Sequence, residues 1–212
     1  MADFTLSPLF NDPDWKRLPE PEVVGGFKFA QASRRNEWIV KLKFQQEGNT
    51  FYGTGFYLNI PEVTSNVIVT SGHNLINENG ALSENIEILK PKGEPAEEIS
   101  EVFIPESYKQ DPTTRNIKND YGVITTKRNK GADEAKGFGF SLKLGHEELR
   151  GRPLEVSGYR IESHPGRPAT SSGHCVRSWQ GQIEYEVITE KGLSGSPVYL
   201  PLKGHEVAIG IQ

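Results

Sequence analysis

Gly192-Leu193-Ser194-Gly195-Ser196-Pro197-Val198 is a run of small residues that turns sharply and then enters an extended segment. Gly192 and Gly195 allow backbone angles and close approaches that a Cβ would block, and Pro197 stiffens the exit into the next strand. A serine within such a turn, here Ser194, can expose its Oγ beside converging main-chain N–H groups. A nucleophilic serine needs that setting, because those N–H groups hold the oxyanion of a tetrahedral intermediate. Taken alone, the segment reads equally well as an ordinary Ser/Gly turn between two strands. On either reading it is turn chemistry of a β-rich chain.

Working outward, short strand-like runs separated by Gly, Pro, Asn or Ser fill the sequence. Trp38 to Phe44 alternates Trp38, Val40, Leu42 and Phe44 on one face with Lys41 and Lys43 on the other, the pattern of a half-buried strand. Phe51 to Ile60, Asn66 to Thr70, Ile86 to Lys90, Ile99 to Ile104 and Tyr121 to Thr126 are further candidates, enough with the first for a small closed barrel. A charged, glycine-containing stretch, Lys127 to Lys136, breaks the pattern as a connection between two lobes would. Five candidates follow: Pro153 to Ile161, His174 to Gln180, Gln182 to Ile188, Pro197 to Leu200 and Glu206 to Gln212, with His164-Pro165-Gly166-Arg167-Pro168 an exposed loop between the first two. The first 22 residues, rich in Pro, Asp and Glu, read as an arm that lies on the surface or is partly disordered.

Two more segments carry chemistry. In Val67-Ile68-Val69-Thr70-Ser71-Gly72-His73-Asn74 a strongly β-forming run enters a small-residue turn and then a histidine, which mounts the imidazole at a strand end, as a general base requires. A lone histidine there is more often a plain loop residue. In Asn119-Asp120-Tyr121-Gly122-Val123-Ile124 the carboxylate opens an apolar strand, where it can accept the Nδ1–H of an imidazole; singly, Asp120 reads as a turn cap. Their joint occurrence in the order His, Asp, Ser, with the first two in one lobe and the third in the other, favours the chemical reading. His146, His164, His174 and His205 have no comparable setting.

Composition bounds the alternatives. The 212 residues suffice to bury a sizeable core, and 22 glycines with 14 prolines suit many short strands better than long helices. A net charge of -4, with no basic stretch interleaved with aromatics, gives no reason to expect nucleic-acid binding. No apolar run approaches the length that spans a bilayer, and the N-terminus lacks the pattern of a secretory signal. The single cysteine, Cys175, has no internal partner for a disulfide, which favours an intracellular, reducing location; secretion after removal of a signal is the alternative.

Gly53-Thr54-Gly55-Phe56, Val69-Thr70-Ser71-Gly72-His73-Asn74, Ile104-Pro105-Glu106-Ser107-Tyr108, Asn119-Asp120-Tyr121-Gly122-Val123-Ile124 and Gly192 to Val198 together resemble the chymotrypsin-like serine peptidases, in particular the disulfide-poor branch that includes the glutamyl endopeptidases. The resemblance covers roughly Val23 to the end. It implies an all-β fold of two six-stranded antiparallel Greek-key barrels, about 23–126 and 151–212 joined by a connection of about 127–150, in one peptidase domain, 23–212. It implies a triad of His73, Asp120 and Ser194, an oxyanion hole from the N–H groups of Gly192 and Ser194, a protein or peptide substrate, and no metal or organic cofactor. With five strands expected after Lys127, the second barrel is expected to be incomplete at its C-terminal end, the chain then being part of a longer protein, with or without further domains.

The sequence departs from the family pattern at three places. Val23-Val24-Gly25-Gly26 resembles the new N-terminus of activated trypsin-like zymogens, but Leu193 stands where their aspartate pairs with the freed amine, so Val23-Val24 is expected to be a lead-in strand. Ser71 replaces a common alanine. In the substrate pocket Thr189 matches the hydroxyl residue of the glutamyl endopeptidases, whereas Gln212 stands in place of their histidine and Ile188 in place of the trypsin aspartate. Thr189 and Gln212 are therefore expected to bind a neutral or polar side chain. The competing reading is a catalytically silent, protease-like binding module within a longer signalling or immune protein.

Overall fold

The computed structural model describes residues 23–24, 37–90, 94, 97–127, 137–141, 146–165, 167–179, 181–187, 189–202 and 205–212. The expected arm, 1–22, and most of the expected connection lie outside the described residues.

All six strands expected in the first half are present. After β1 (Val23–Val24), they are β2 (Ile39–Gln46), β3 (Asn49–Leu58), β4 (Asn66–Thr70), β5 (Glu84–Leu89), β6 (Ile99–Phe103) and β7 (Gly122–Thr126). β2 and β3 form a hairpin closed by Glu47 and Gly48, both at positive φ (51° and 77°), the two-residue turn whose twist matches that of its strands. The sheet runs β5-β2-β3-β4-β7-β6, entirely antiparallel, so β5 returns to flank β2 and β7 slots between β4 and β6. That is a Greek-key order. The sheet curls around a core built on Leu42, Tyr57, Ile68 and Ile124, each at most 1% exposed.

The second sheet contains β8 (Gly139–Ser141), β9 (Pro153–Gly158), β10 (Ala169–Trp179), β11 (Gln182–Tyr185), β12 (Pro197–Leu202) and β13 (His205–Ile211), in the order β1-β8-β13-β12-β9-β10-β11. Sequence patterning misses β8, so that among the described residues the second half has six strands where five are expected. Three residues are too few to show an alternation. The β8–β13 pairing is parallel, through Val207↔Gly139 and Ala208↔Phe140, and the other pairings of this sheet are antiparallel. β10 begins five residues before the expected His174, because Ala169 to Gly173 is a polar, half-exposed segment held by its ladder with β9 rather than by an apolar face. Val23–Val24 is a strand, as expected, paired with β8. The chain is thus mostly β, in two curled half-barrel sheets.

A third apolar cluster joins the sheets. Phe138, fully buried, meets Trp38 edge-on at 5.3 Å, Phe56 at 5.8 Å and Tyr199 at 4.8 Å, taking aromatic rings from both halves into one contact. Packing of this kind fixes the two sheets against each other and makes the crevice between them a place where groups from each can meet.

One face departs from the alternation read in β2. Lys41 lies opposite Val40 and Leu42 as expected, yet it is 4% exposed, because the second half of the chain covers it. Its Nζ donates to the carbonyls of Ile161 (2.5 Å) and Ser163 (2.8 Å) and lies 4.8 Å from the Tyr52 ring centroid. A buried ammonium is tolerated when such acceptors replace water.

Candidate active site

β4 ends in Thr70, and a single turn of 3-10 helix, Gly72–Asn74, follows at once. The residue at position 72 has to be small: a Cβ there would lie 2.7 Å from the Tyr108 ring and 3.1 Å from Asp120 Oδ1. Because the turn is so tight, His73 stands at the rim of the first sheet, with its side chain 44% exposed. Gln46 at the tip of β2 steadies it from behind, donating its amide N–H groups to His73 O (2.9 Å) and Ser83 Oγ (3.0 Å).

Asp120 caps the 3-10 segment Thr114–Asn119 just before β7. It takes hold of His73 at two points: the Asp120 Oδ2 to His73 Nδ1 distance is 2.7 Å, and the His73 main-chain N–H donates to Oδ1 at 2.8 Å. The Tyr108 ring, from the short helix Glu106–Gln110, lies on the same side of Gly72 as this carboxylate. Burial pushes the Asp120 carboxyl up, but the hydrogen bonds from the His73 ring and main chain, with a smaller influence of the nearby Tyr108 phenol, outweigh it, so its pKa lies below the ordinary value. The Tyr108 phenol is held above its ordinary range by burial first and by the Asp120 charge second.

The serine turn comes from the other sheet, on the approach to β12. Gly192 (φ 97°) and Gly195 (φ 88°) both adopt the left-handed conformation that flanking glycines permit. At Gly195 a Cβ would also collide with Thr54 O and Thr70 Oγ1. Hydrogen bonds from the first half lock the turn in place. Ser194 O accepts from Thr54 N (2.8 Å) and Asn74 Nδ2 (3.0 Å), and Asn74 Nδ2 also donates to Thr70 Oγ1 (2.9 Å). Gly195 N donates to Gln212 O (2.6 Å), which accepts from Ser71 Oγ as well (2.8 Å). The residues on either side of Gly72–His73 are therefore bonded to the end of β13 and to the turn that carries Ser194.

Of the residues singled out in the sequence, His73 and Asp120 are in direct contact, and the main chain of Ser194 is tied to Asn74, the neighbour of His73. Gly192 and Ser194 lie on the same glycine-flanked turn. Thr189 is exposed on the segment leading to that turn, and Ile188 lies outside the described residues. Gln212 is half-buried, and its Oε1 accepts from the Tyr185 hydroxyl. Sequence patterns do not single out Tyr185, Thr54, Asn74 or Gln46 as functional residues. Asn74 adjoins the histidine and Thr54 lies in the Gly53-Thr54-Gly55-Phe56 motif, but their partners on the serine turn are more than 100 residues away, beyond any local pattern.

The sequence matches no protein-family model and no curated protein. Its structure is similar to solved structures of serine proteases. These include the thermostable serine protease AL20 from an extremophilic microorganism (TM-score 0.62, 15% identity, 85% of each chain covered) and the protease Anisep from Arthrobacter nicotinovorans (TM-score 0.54, 15% identity, 88% of this chain and 84% of that one). A scabies mite inactivated protease paralogue is similar to the same degree (TM-score 0.53, 16% identity, 88% and 86% covered). The chain has the double-barrel fold of the chymotrypsin-like serine proteases. That fold accommodates both proteases and an inactivated paralogue, so activity rests on the residues of the site.

Proposed function

We propose that the chain is a serine endopeptidase acting through an acyl-enzyme, and the observation that carries this reading is the two-point hold of Asp120 on His73. With Nδ1–H donated to Asp120, the neutral imidazole presents Nε2 as a lone-pair acceptor. In this reading Nε2 takes the Ser194 proton as Oγ attacks a peptide carbonyl, and Asp120 stabilises the imidazolium that forms. The N–H groups of Gly192 and Ser194 hold the developing oxyanion, and His73 returns the proton to the departing amine. A water activated by the same imidazole then hydrolyses the ester. The depressed pKa of Asp120 suits its role, since the carboxylate has to stay ionised while the imidazole charges.

For the residue preceding the cleaved bond, we assign Thr189 and Gln212 to a pocket for a neutral or polar side chain. The Tyr185 hydroxyl bonded to Gln212 Oε1 orients the amide so that its N–H groups remain to bind an acceptor. Lys and Arg substrates find no carboxylate there among these residues.

A fluorophosphonate probe, which phosphonylates only an activated serine, tests the reading against that of a silent binding module. The wild-type chain is expected to carry the adduct on the peptide containing Ser194 and to cleave casein, and Ser194→Ala to do neither. The expected loss of turnover is about four to six orders of magnitude. Equal labelling of both proteins, or none of either, would overturn the assignment.

A further inference from the structure

Thr54 lies in the middle of β3, is fully buried, and bonds across the interface between the two halves of the chain with each of its polar groups but one. Its N–H donates to Ser194 O (2.8 Å), and its hydroxyl donates to Gly192 O (2.9 Å) while accepting from the main-chain N–H of Tyr159 (2.9 Å). The remaining group, its carbonyl, accepts from Thr70 Oγ1 (2.7 Å) one strand away. One side chain thus links the start of the serine turn to the segment leaving β9. That segment is the wall behind the turn: a Cβ on Gly192 would lie 2.6 Å from Tyr159 O and 2.8 Å from Ile161 N. Lys41, facing Thr54 across the β2–β3 ladder, holds the same segment through Ile161 O and Ser163 O.

We infer that Thr54 is a positioning residue for the serine turn: its hydroxyl sets the Gly192 carbonyl, and with it the Gly192–Ser194 main chain, in register with the sheet that carries His73 and Asp120. The inference rests on the peptidase reading and deepens it. A hydroxyl replaced by a methyl of the same shape leaves the Gly192 carbonyl and the Tyr159 N–H without partners, so both peptide groups reorient. The bonds to Ser194 O from Thr54 N and Asn74 are kept, so the nucleophile stays in place while the donors aimed at the oxyanion shift. The effect falls on the reaction step and not on encounter with substrate, because oxyanion donors act on charge that develops in the transition state.

Thr54→Val and Thr54→Ser separate this role from packing. Labelling by a fluorophosphonate probe, resolved into its maximal rate and half-saturating concentration, is expected to be about 10- to 100-fold slower at saturation in Thr54→Val, with the half-saturating concentration within twofold of wild type. Thr54→Ser, which keeps the hydroxyl, is expected to recover the rate to within about threefold. Amide exchange at Tyr159 is expected to quicken at least about tenfold in the valine variant alone. Thr54→Ala provides the same contrast in a smaller side chain, should the valine protein not fold. A valine or alanine protein that labels and exchanges like wild type, or a serine variant as slow as the valine one, overturns the inference. A wild-type chain that takes up no probe overturns the peptidase reading instead, and Tyr159 exchange then decides whether Thr54 holds the turn.

Discussion

Asp120 engages His73 through both carboxylate oxygens, Oδ2 at 2.7 Å from the ring Nδ1 and Oδ1 at 2.8 Å from the main-chain N–H. The first contact selects the tautomer and the second fixes where the ring is mounted. Asp120→Asn keeps the shape but places an amide N–H against a nitrogen that itself has to donate, which favours the wrong tautomer. Turnover is expected to fall about 10⁴-fold with the fold intact. A loss of less than tenfold, measured on a peptide substrate at neutral pH, would show that Asp120 does not orient the base.

Acid is expected to destabilise the protein through Asp120 and Glu97 together. In both, burial raises the carboxyl pKa and hydrogen bonds more than offset it, leaving the folded value below the unfolded one. The unfolded chain therefore binds more protons over that interval. The stability both groups contribute is complete above the ordinary carboxylate range, about pH 4–5, and is lost as pH falls toward the lowered folded values. Urea unfolding at pH 7, 5 and 3.5 reads this directly, with the midpoint dropping chiefly between the last two. A midpoint as high at pH 3.5 as at pH 7 would contradict it.

Glu97 is the keystone of the seam between β5 and β6. It accepts from Tyr57 Oη (2.5 Å) in β3, from Lys90 Nζ (2.5 Å) just after β5 and from Thr126 Oγ1 (2.7 Å) in β7, with its side chain 9% and that of Lys90 13% exposed. Glu97→Ala removes the shared acceptor and strands the Lys90 ammonium, with an expected cost of about 3–5 kcal/mol. Glu97→Ala combined with Lys90→Met should recover part of it. A single variant within 1 kcal/mol of wild type, by the standard of an exposed pair, would refute the buried network.

Gly195→Ala is expected to abolish activity and destabilise by more than about 2 kcal/mol, because the position has φ 88° and its Cβ would collide with Thr54 O. Gly48→Ala is the control: φ is 77°, but nothing lies within 4 Å of the added Cβ, so only the conformational cost of about 1 kcal/mol applies. Equal effects of the two would mean that the turn is looser than described.

Reducing agent is expected to leave activity and thermal stability unchanged. Cys175 is buried and unpaired, and burial pushes its thiol up, away from the reactive thiolate. Reaction with a thiol reagent should be slow in the native protein and rapid in urea. A drop in melting temperature with dithiothreitol would reveal a disulfide between chains.

The sequence alone determined the β-strands of the first half, the glycine-flanked turn at Ser194, and the residue types and order of His73, Asp120 and Ser194. These are legible because alternation, turn residues and strand-end placement are local properties, expressed within a few neighbouring residues. Tertiary structure decided what faces what. Lys41 alternates outward like Lys43, yet a segment 120 residues away covers it and supplies its acceptors. Thr54 looks like one more small residue of a strand until Gly192, Ser194 and Tyr159 arrive from the other sheet. Gln212 is assigned to the substrate pocket from the sequence, but which end of its amide is free is set only when Tyr185 binds its oxygen. β8 has no pattern of its own and is a strand only because β13 and β1 lie beside it. A hydrogen bond between distant residues leaves no period in either segment, so the partners that hold this site together emerge only once the two sheets have packed.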